Sequence, residues 1–320
     1  MKNKFRAALT FALVLPLFVQ SGNEWKDNRV PAHWTATWAT ANKTVTALDA
    51  PLSNINNATL RQIVHISAAG RMVRVSFTNE FGTAPLNISE AHVALRDGGS
   101  TIVDSSGNQL TFSSSSSVSI LPGARVVSDA LEIDVRNNAE LVISIYLPDD
   151  VTGSASPVTY HVRALQTNYI AAGNQAAKKD LENASTTTAW HFLASVDVAN
   201  YWSMPVIATL GDSITDGDQM GAPNEPIDTN VRYPDLLFKA IIAGGKSASV
   251  INLGISGNQV LTSFLGENPT ARLNRDVLTQ TGVTHVIYLE GINDIGFPVL
   301  LSVLGIPTPL NSAEAIIAGH

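Results

Sequence analysis

Three short segments carry the residue types that acyl transfer needs: Gly211-Asp212-Ser213-Ile214-Thr215-Asp216-Gly217, Gly254-Ile255-Ser256-Gly257-Asn258 and Glu290-Gly291-Ile292-Asn293-Asp294. A serine on a tight turn beside a glycine can present its hydroxyl, and a glycine in a neighbouring turn lets a main-chain N–H approach a substrate with no side chain in the way. An asparagine carboxamide adds a further donor for a developing oxyanion. Each segment alone has a plainer reading: Gly-Asp-Ser as a loop or helix cap, Gly257 as a turn glycine, Asn293 as an Asx-turn. Whether they share one place in the fold decides between the readings.

The hydrophobic pattern predicts that they do. Val206–Leu210 reads as a fully buried strand and Ser249–Leu253 and Thr284–Leu289 as two further strands, each running straight into one of the three segments. A helix is expected from about Pro234 to a stop at Gly244-Gly245, and a second from Ala271 to about Gln280. Strand–helix–strand–helix–strand with such connections means right-handed crossovers and a parallel sheet, in which ligands bind beyond the carboxyl ends of the strands. Upstream, from His33 to about Val198, short alternating runs such as Arg71–Phe77 and Glu140–Leu147 predict an all-β sandwich or jelly roll. The expected organisation is therefore a β-sandwich over 33–198 followed by an α/β domain over 205–320.

With these elements in place, the segment around Ser213 resembles the first block of the SGNH, or GDSL-type, serine esterases and lipases. Gly257 falls where that family's second-block glycine stands, and Asn293 where its third-block asparagine stands. The region opening with His33-Trp34-Thr35-Ala36-Thr37-Trp38 and including Thr59–Val64 looks like the amino-terminal domain of exported two-domain members. The resemblance implies a flavodoxin-like parallel sheet, Ser213 as nucleophile, and an oxyanion hole made of the Ser213 and Gly257 N–H groups and the Asn293 amide. Asp212 and Asp294 read as residues that organise their loops.

The activating base is missing. A serine hydroxyl is a weak nucleophile until a histidine, oriented by a carboxylate, takes its proton. The family supplies both from a late Asp-x-x-His block. After Asp294 this sequence has no aspartate and a single histidine, His320. His285 is expected ~13 Å or more below the rim at strand spacing. His320 is expected ~12 Å away, at the far end of a helix descending from near Asn311. His33, His65, His92, His161 and His191 read as strand-surface or satisfied core residues that do not enter the site. The expectation is a chain shortened before the acid–base pair, its sheet left in the order 2-1-3 with an apolar edge exposed, and its hydrolysis impaired.

Composition narrows the alternatives. The chain is 45% hydrophobic and 15% charged with a net charge of −7, which supports large cores and offers no basic field for nucleic acid. Zero cysteines exclude a thiol nucleophile and thiolate metal sites. No metal cluster or cofactor motif is visible. Lys2, Lys4 and Arg6 ahead of an apolar run from Ala7 to Val19 read as a signal peptide ending near residue 22, too short for a span, so an exported protein without a stable membrane anchor is expected. The elbow of α/β-hydrolases is not indicated because Thr215 stands where it needs glycine, and Gly245-Lys246-Ser247 closes a helix where a phosphate loop would open one. Two other functions stay open: acyl transfer to an acceptor other than water, and a non-catalytic glycan- or surface-polymer-binding module with Trp34, Trp38, Trp190 and Trp202 as stacking faces. The loop from Asp216 to Arg232 is expected to shape the pocket. Substrate identity and oligomeric state are not legible.

Overall fold

The computed structural model describes residues 33–46, 49–219 and 222–320. The signal-peptide reading of residues 1–22 lies outside them. The β-rich part forms two antiparallel sheets. One has the order His33–Ala39, Leu193–Asn200, Gly70–Thr78, Leu131–Val135; the other runs Ser185–Thr187, Asn168–Ala172, Asn56–His65, Glu140–Asp150, Glu90–Gly98, Thr101–Ile102. Alternation explains how they face each other: Val73, Val75 and Phe77 of one sheet and Leu141, Ile143 and Ile145 of the other point into one shared apolar cluster.

The three apolar runs after residue 205 pair in parallel in the order Ser249–Gly254, Val206–Gly211, Val283–Leu289, the expected 2-1-3 arrangement. The register aligns their carboxyl ends, Gly211 facing Gly254 on one side and Leu289 on the other. The helix Tyr233–Ala243 begins with Pro234 in its first turn and closes at Gly244, as its punctuation predicts. The second expected helix is present as Pro269–Leu273, which widens into a π-helical turn over Asn274–Leu278. On the outer strand Val286, Ile287, Tyr288 and Leu289 are exposed.

Small residues let the two parts meet closely. Ala36, Ala39 and Ala41 pack directly on Val206, Ala208, Leu210 and Ile251. Polar groups at the seam pair across it: the Ala36 N–H donates to the Thr281 carbonyl at 2.9 Å, and the Ser67 hydroxyl meets that of Ser249 at 2.8 Å. Among the described residues no helix is long and apolar enough to cross a membrane.

Candidate active site

Ser213 opens a single helical turn, Ser213–Asp216, immediately beyond the central strand. Asp212 caps that turn: its Oδ1 accepts from the Ile214 N–H at 2.9 Å, and Gly217, at φ +87°, ends it. The chain therefore leaves the strand, turns once and holds a half-buried Ser213 at the strand end. Asp212 is itself buried, and burial pushes its carboxyl above the ordinary range, with the carboxylates of Asp216 and Asp294 adding to the effect. The turn is pinned from below: the Asn252 side chain donates to the Thr215 carbonyl at 2.8 Å, and the Ser256 N–H donates to Asp216 at 3.2 Å.

Gly254 permits that closeness. A Cβ placed there would lie 2.7 Å from the Asp216 Cα, a backbone atom that cannot swing away. Gly254→Ala should therefore destabilise the protein by about 1–3 kcal/mol, the usual cost of overpacking, and displace the serine turn. Urea denaturation checks this; an alanine variant with native stability would show that the turn is not held by this contact.

Gly257, at φ +77°, stands in the turn after the second strand, where a left-handed backbone suits glycine. Asn293 is the second residue of the helix Ile292–Val303 after the third strand. Its Nδ2 donates to the Asn258 carbonyl at 2.9 Å, so the carboxamide lies against the residue next to Gly257 and retains a second N–H. The adjacent Asp294 carboxylate accepts from the Val260 and Leu261 N–H groups at 2.8 and 2.9 Å. Asp212 and Asp294 thus organise their loops. Among the described residues neither the Ser213 nor the Gly257 main-chain N–H has a hydrogen-bond partner.

Underneath sits Arg272, fully buried. Its Nη2 donates to the Gly211 carbonyl at 3.1 Å and its Nη1 to the Leu253 carbonyl at 2.7 Å, and Nε and Nη2 both reach Asn258 Oδ1, at 3.0 and 2.8 Å. Asp276, at 3.2 Å, balances its charge, and Glu290 Oε1 accepts from Nη2 at 3.4 Å. One guanidinium therefore links the ends of the first two strands, Glu290 just past the third, and the turn that carries Gly257. The sequence analysis gave Arg272 no role, and Asn258 entered it only as the last residue of the second segment.

The histidines correct two expectations. His320 does not end a helix that descends from the rim: a Cβ on Gly291 would lie 3.1 Å from its Nε2, and its ring meets Tyr288 edge-on at 5.1 Å. The helix Ala313–Gly319 runs back toward the strand ends because Gly319 packs against Val260 and Leu261. His161 does cross from the β-rich part, its Nε2 lying 3.1 Å from Asp216 Oδ1 and its Nδ1 2.8 Å from the Ala41 carbonyl. It holds the serine's helical turn. Among the described residues no histidine is hydrogen-bonded to Ser213. His285 lies near the start of its strand, bonded to Thr284 at 2.8 Å, and burial pushes the His191 imidazole down to about 4.

A cleft of about 370 Å³ opens beside Ser213, walled by Ile214, Pro226, Val231 and Tyr233 and, from the β-rich part, Leu165. The segment between Asp216 and Arg232 supplies much of this wall, as expected. The tryptophans do not build a stacking platform: Trp38 and Trp190 are buried and pack edge-to-face at 4.9 Å, and Trp34 lies under the Arg74 guanidinium at 4.3 Å. Trp202 is exposed. Among the described residues no cluster of three or more histidine, aspartate or glutamate side chains is arranged to hold a metal ion.

No protein-family model matches the chain, and no curated protein matches it. Among the solved structures that share a partial likeness are three esterases. The SGNH-hydrolase family esterase AlinE4 aligns at 24% identity over 38% of this chain and 52% of its own, with a TM-score of 0.27. A variant of an acetyl xylan esterase from Geobacillus stearothermophilus aligns at 26% identity over 37% and 51%, with a TM-score of 0.26. A family two carbohydrate esterase from Cellvibrio japonicus aligns at 14% identity over 87% and 82%, with a TM-score of 0.24. The chain thus spans about half the length of the first two.

Proposed function

We propose that this chain is an exported serine esterase of the SGNH type, with a β-sandwich over 33–198 and a flavodoxin-like α/β domain over 205–320, that hydrolyses carboxylic esters through an acyl-enzyme on Ser213. One observation carries the reading. The strand ends lie in register and the Asn293 amide is bonded to the residue next to Gly257, which supports a common cradle of hydroxyl, main-chain N–H groups and carboxamide at one end of the sheet.

The chemistry follows. Ser213 Oγ attacks the carbonyl carbon and the carbonyl oxygen takes the negative charge, facing the Ser213 and Gly257 N–H groups and the remaining Asn293 N–H. As the tetrahedral species collapses, the alcohol leaves with the proton lost by Oγ, and water then repeats the sequence on the acyl-enzyme. Such donors act where charge develops and need no rearrangement in the transition state. With no histidine on Ser213 to carry the proton, the expected rate is that of an oxyanion hole and binding alone, roughly 10³–10⁴ over water.

Hydrolysis of p-nitrophenyl acetate tests this, with mass spectrometry to locate the acetyl group. Slow turnover, an acetyl adduct on the peptide containing Ser213, and loss of both in Ser213→Ala are expected. Hydrolysis that is indifferent to Ser213→Ala would overturn the assignment, and fast hydrolysis abolished by it would reveal a base outside the contacts described above.

A further inference from the structure

The β-rich part does more than support the serine turn. Its segment 161–167 reaches over the boundary and fastens to the 217–232 loop at several points. Arg163 Nε donates to Asp218 at 2.7 Å, the Asp228 N–H donates to the Leu165 carbonyl at 2.9 Å, and the Asp228 carboxylate accepts from Gln166 and from the Thr167 N–H and hydroxyl, each at 2.6 Å. Arg163 and Leu165 both adopt left-handed backbone, at φ +52° and +50°, which costs energy in residues with large side chains. The surrounding bonds hold that conformation, and its result is that Leu165, 5% exposed, forms a wall of the cleft that begins at Ser213.

The rest of the cleft fits the same kind of ligand. Ile214, Pro226 and Val231 face it with carbon. The charges around it are already engaged: Arg163 with Asp218, and Arg232 over the Trp190 ring at 5.5 Å. About 370 Å³ is the size of a small-ligand site. We propose that Leu165 is the specificity-determining residue of this site, the wall against which an uncharged apolar substituent of the ester packs beside Ser213. The reading rests on the esterase assignment for its chemistry but makes a separate claim, that the β-rich part selects the substrate.

The test measures binding rather than turnover, in the full chain carrying Ser213→Ala so that nothing is consumed. Affinities for two homologous series, methyl acetate to methyl hexanoate and methyl acetate to hexyl acetate, are read by ligand-observed NMR. Affinity should rise with chain length in one series, which identifies whether the acyl or the alcohol side occupies the cleft. In Leu165→Phe the longest member of that series should lose about tenfold or more while methyl acetate changes little, the discrimination expected of a filled apolar pocket. Leu165→Ala should admit longer chains. Val231→Phe fills the same cleft from the facing loop without touching the strained segment, and should reproduce the Leu165→Phe profile if the latter variant folds poorly, as judged by near-ultraviolet circular dichroism. Affinities independent of chain length in the Ser213→Ala chain, or profiles unchanged by both phenylalanine variants, would overturn the proposal. Length-dependent binding without any Ser213-dependent hydrolysis would instead sink only the esterase assignment.

Discussion

Replacing Arg272 by methionine is expected to lower the unfolding free energy by about 3–5 kcal/mol, the usual cost of removing one partner from a buried ion pair. The side chain is fully buried and donates to the Gly211 and Leu253 carbonyls and to Asn258. Methionine fills much of the volume but leaves those acceptors unmatched, takes one of its two arginine partners from Asp276, which keeps Arg275, and removes the donor to Glu290 Oε1. Lysine restores the charge without the planar fork, so Arg272→Lys should recover only part of the loss. Ser213-dependent hydrolysis should fall in both variants, because Asn258 is held by Arg272 and in turn offers its carbonyl to the Asn293 amide. Urea titration gives the stability, and p-nitrophenyl acetate gives the rate. A methionine variant within about 1 kcal/mol of the wild type, the range of an exposed ion pair, would mean that the strand ends hold together without it.

The parts of this site that were legible in sequence are those governed by local chemistry. An apolar run that ends at a glycine specifies a strand and its turn, so Ser213, Gly257 and Asn293 could be placed at strand ends before any coordinates, and the 2-1-3 order is the one that the resemblance to SGNH-type esterases implies. What stayed hidden depends on partners distant in the chain. Arg272 finds strand-end carbonyls 61 and 19 residues away, which no periodicity reports. His161 and Asp216 are separated by 55 residues. The direction of the last helix turned on Gly319 meeting Val260 and Leu261, a packing event, so His320 lies beside Gly291 instead of at a distance. Leu165 gave no signal because left-handed backbone is forecast at glycine or asparagine, and here bonds from Asp228 and its neighbours impose it on leucine.

The second large effect is a loss of stability with rising pH that originates in Glu290. Its side chain is fully buried, and burial pushes its carboxyl up to about 8; Arg272 opposes the shift while Asp212 and Asp294 reinforce it. Geometry gives the same direction, since Oε2 is buried and receives no hydrogen bond that would favour the ionised form. Between the ordinary value of 4.5 and about 8 the folded protein holds a proton that the unfolded chain has released. Fewer protons are bound in the unfolded state, so the unfolding free energy falls as pH rises, by at most about 1.4 kcal/mol per pH unit. The contribution is complete below pH 4.5 and gone above about 8, and over the interval it amounts to a few kcal/mol, with Asp212 displaced in the same direction. His191, depressed to about 4, acts oppositely by adding stability as pH rises toward 6.5, so the total profile should be bowed and the Glu290 effect clearest from pH 6.5 to 8. Glu290→Gln isolates it. Glutamine keeps the shape and carries no charge at any pH, so urea midpoints measured from pH 5 to 8.5 should converge with the wild type at low pH and exceed it by a growing margin toward pH 8. Parallel profiles would place the titrating group elsewhere. A widening gap would mean that the Arg272 centre beneath Ser213 is most stable with Glu290 uncharged.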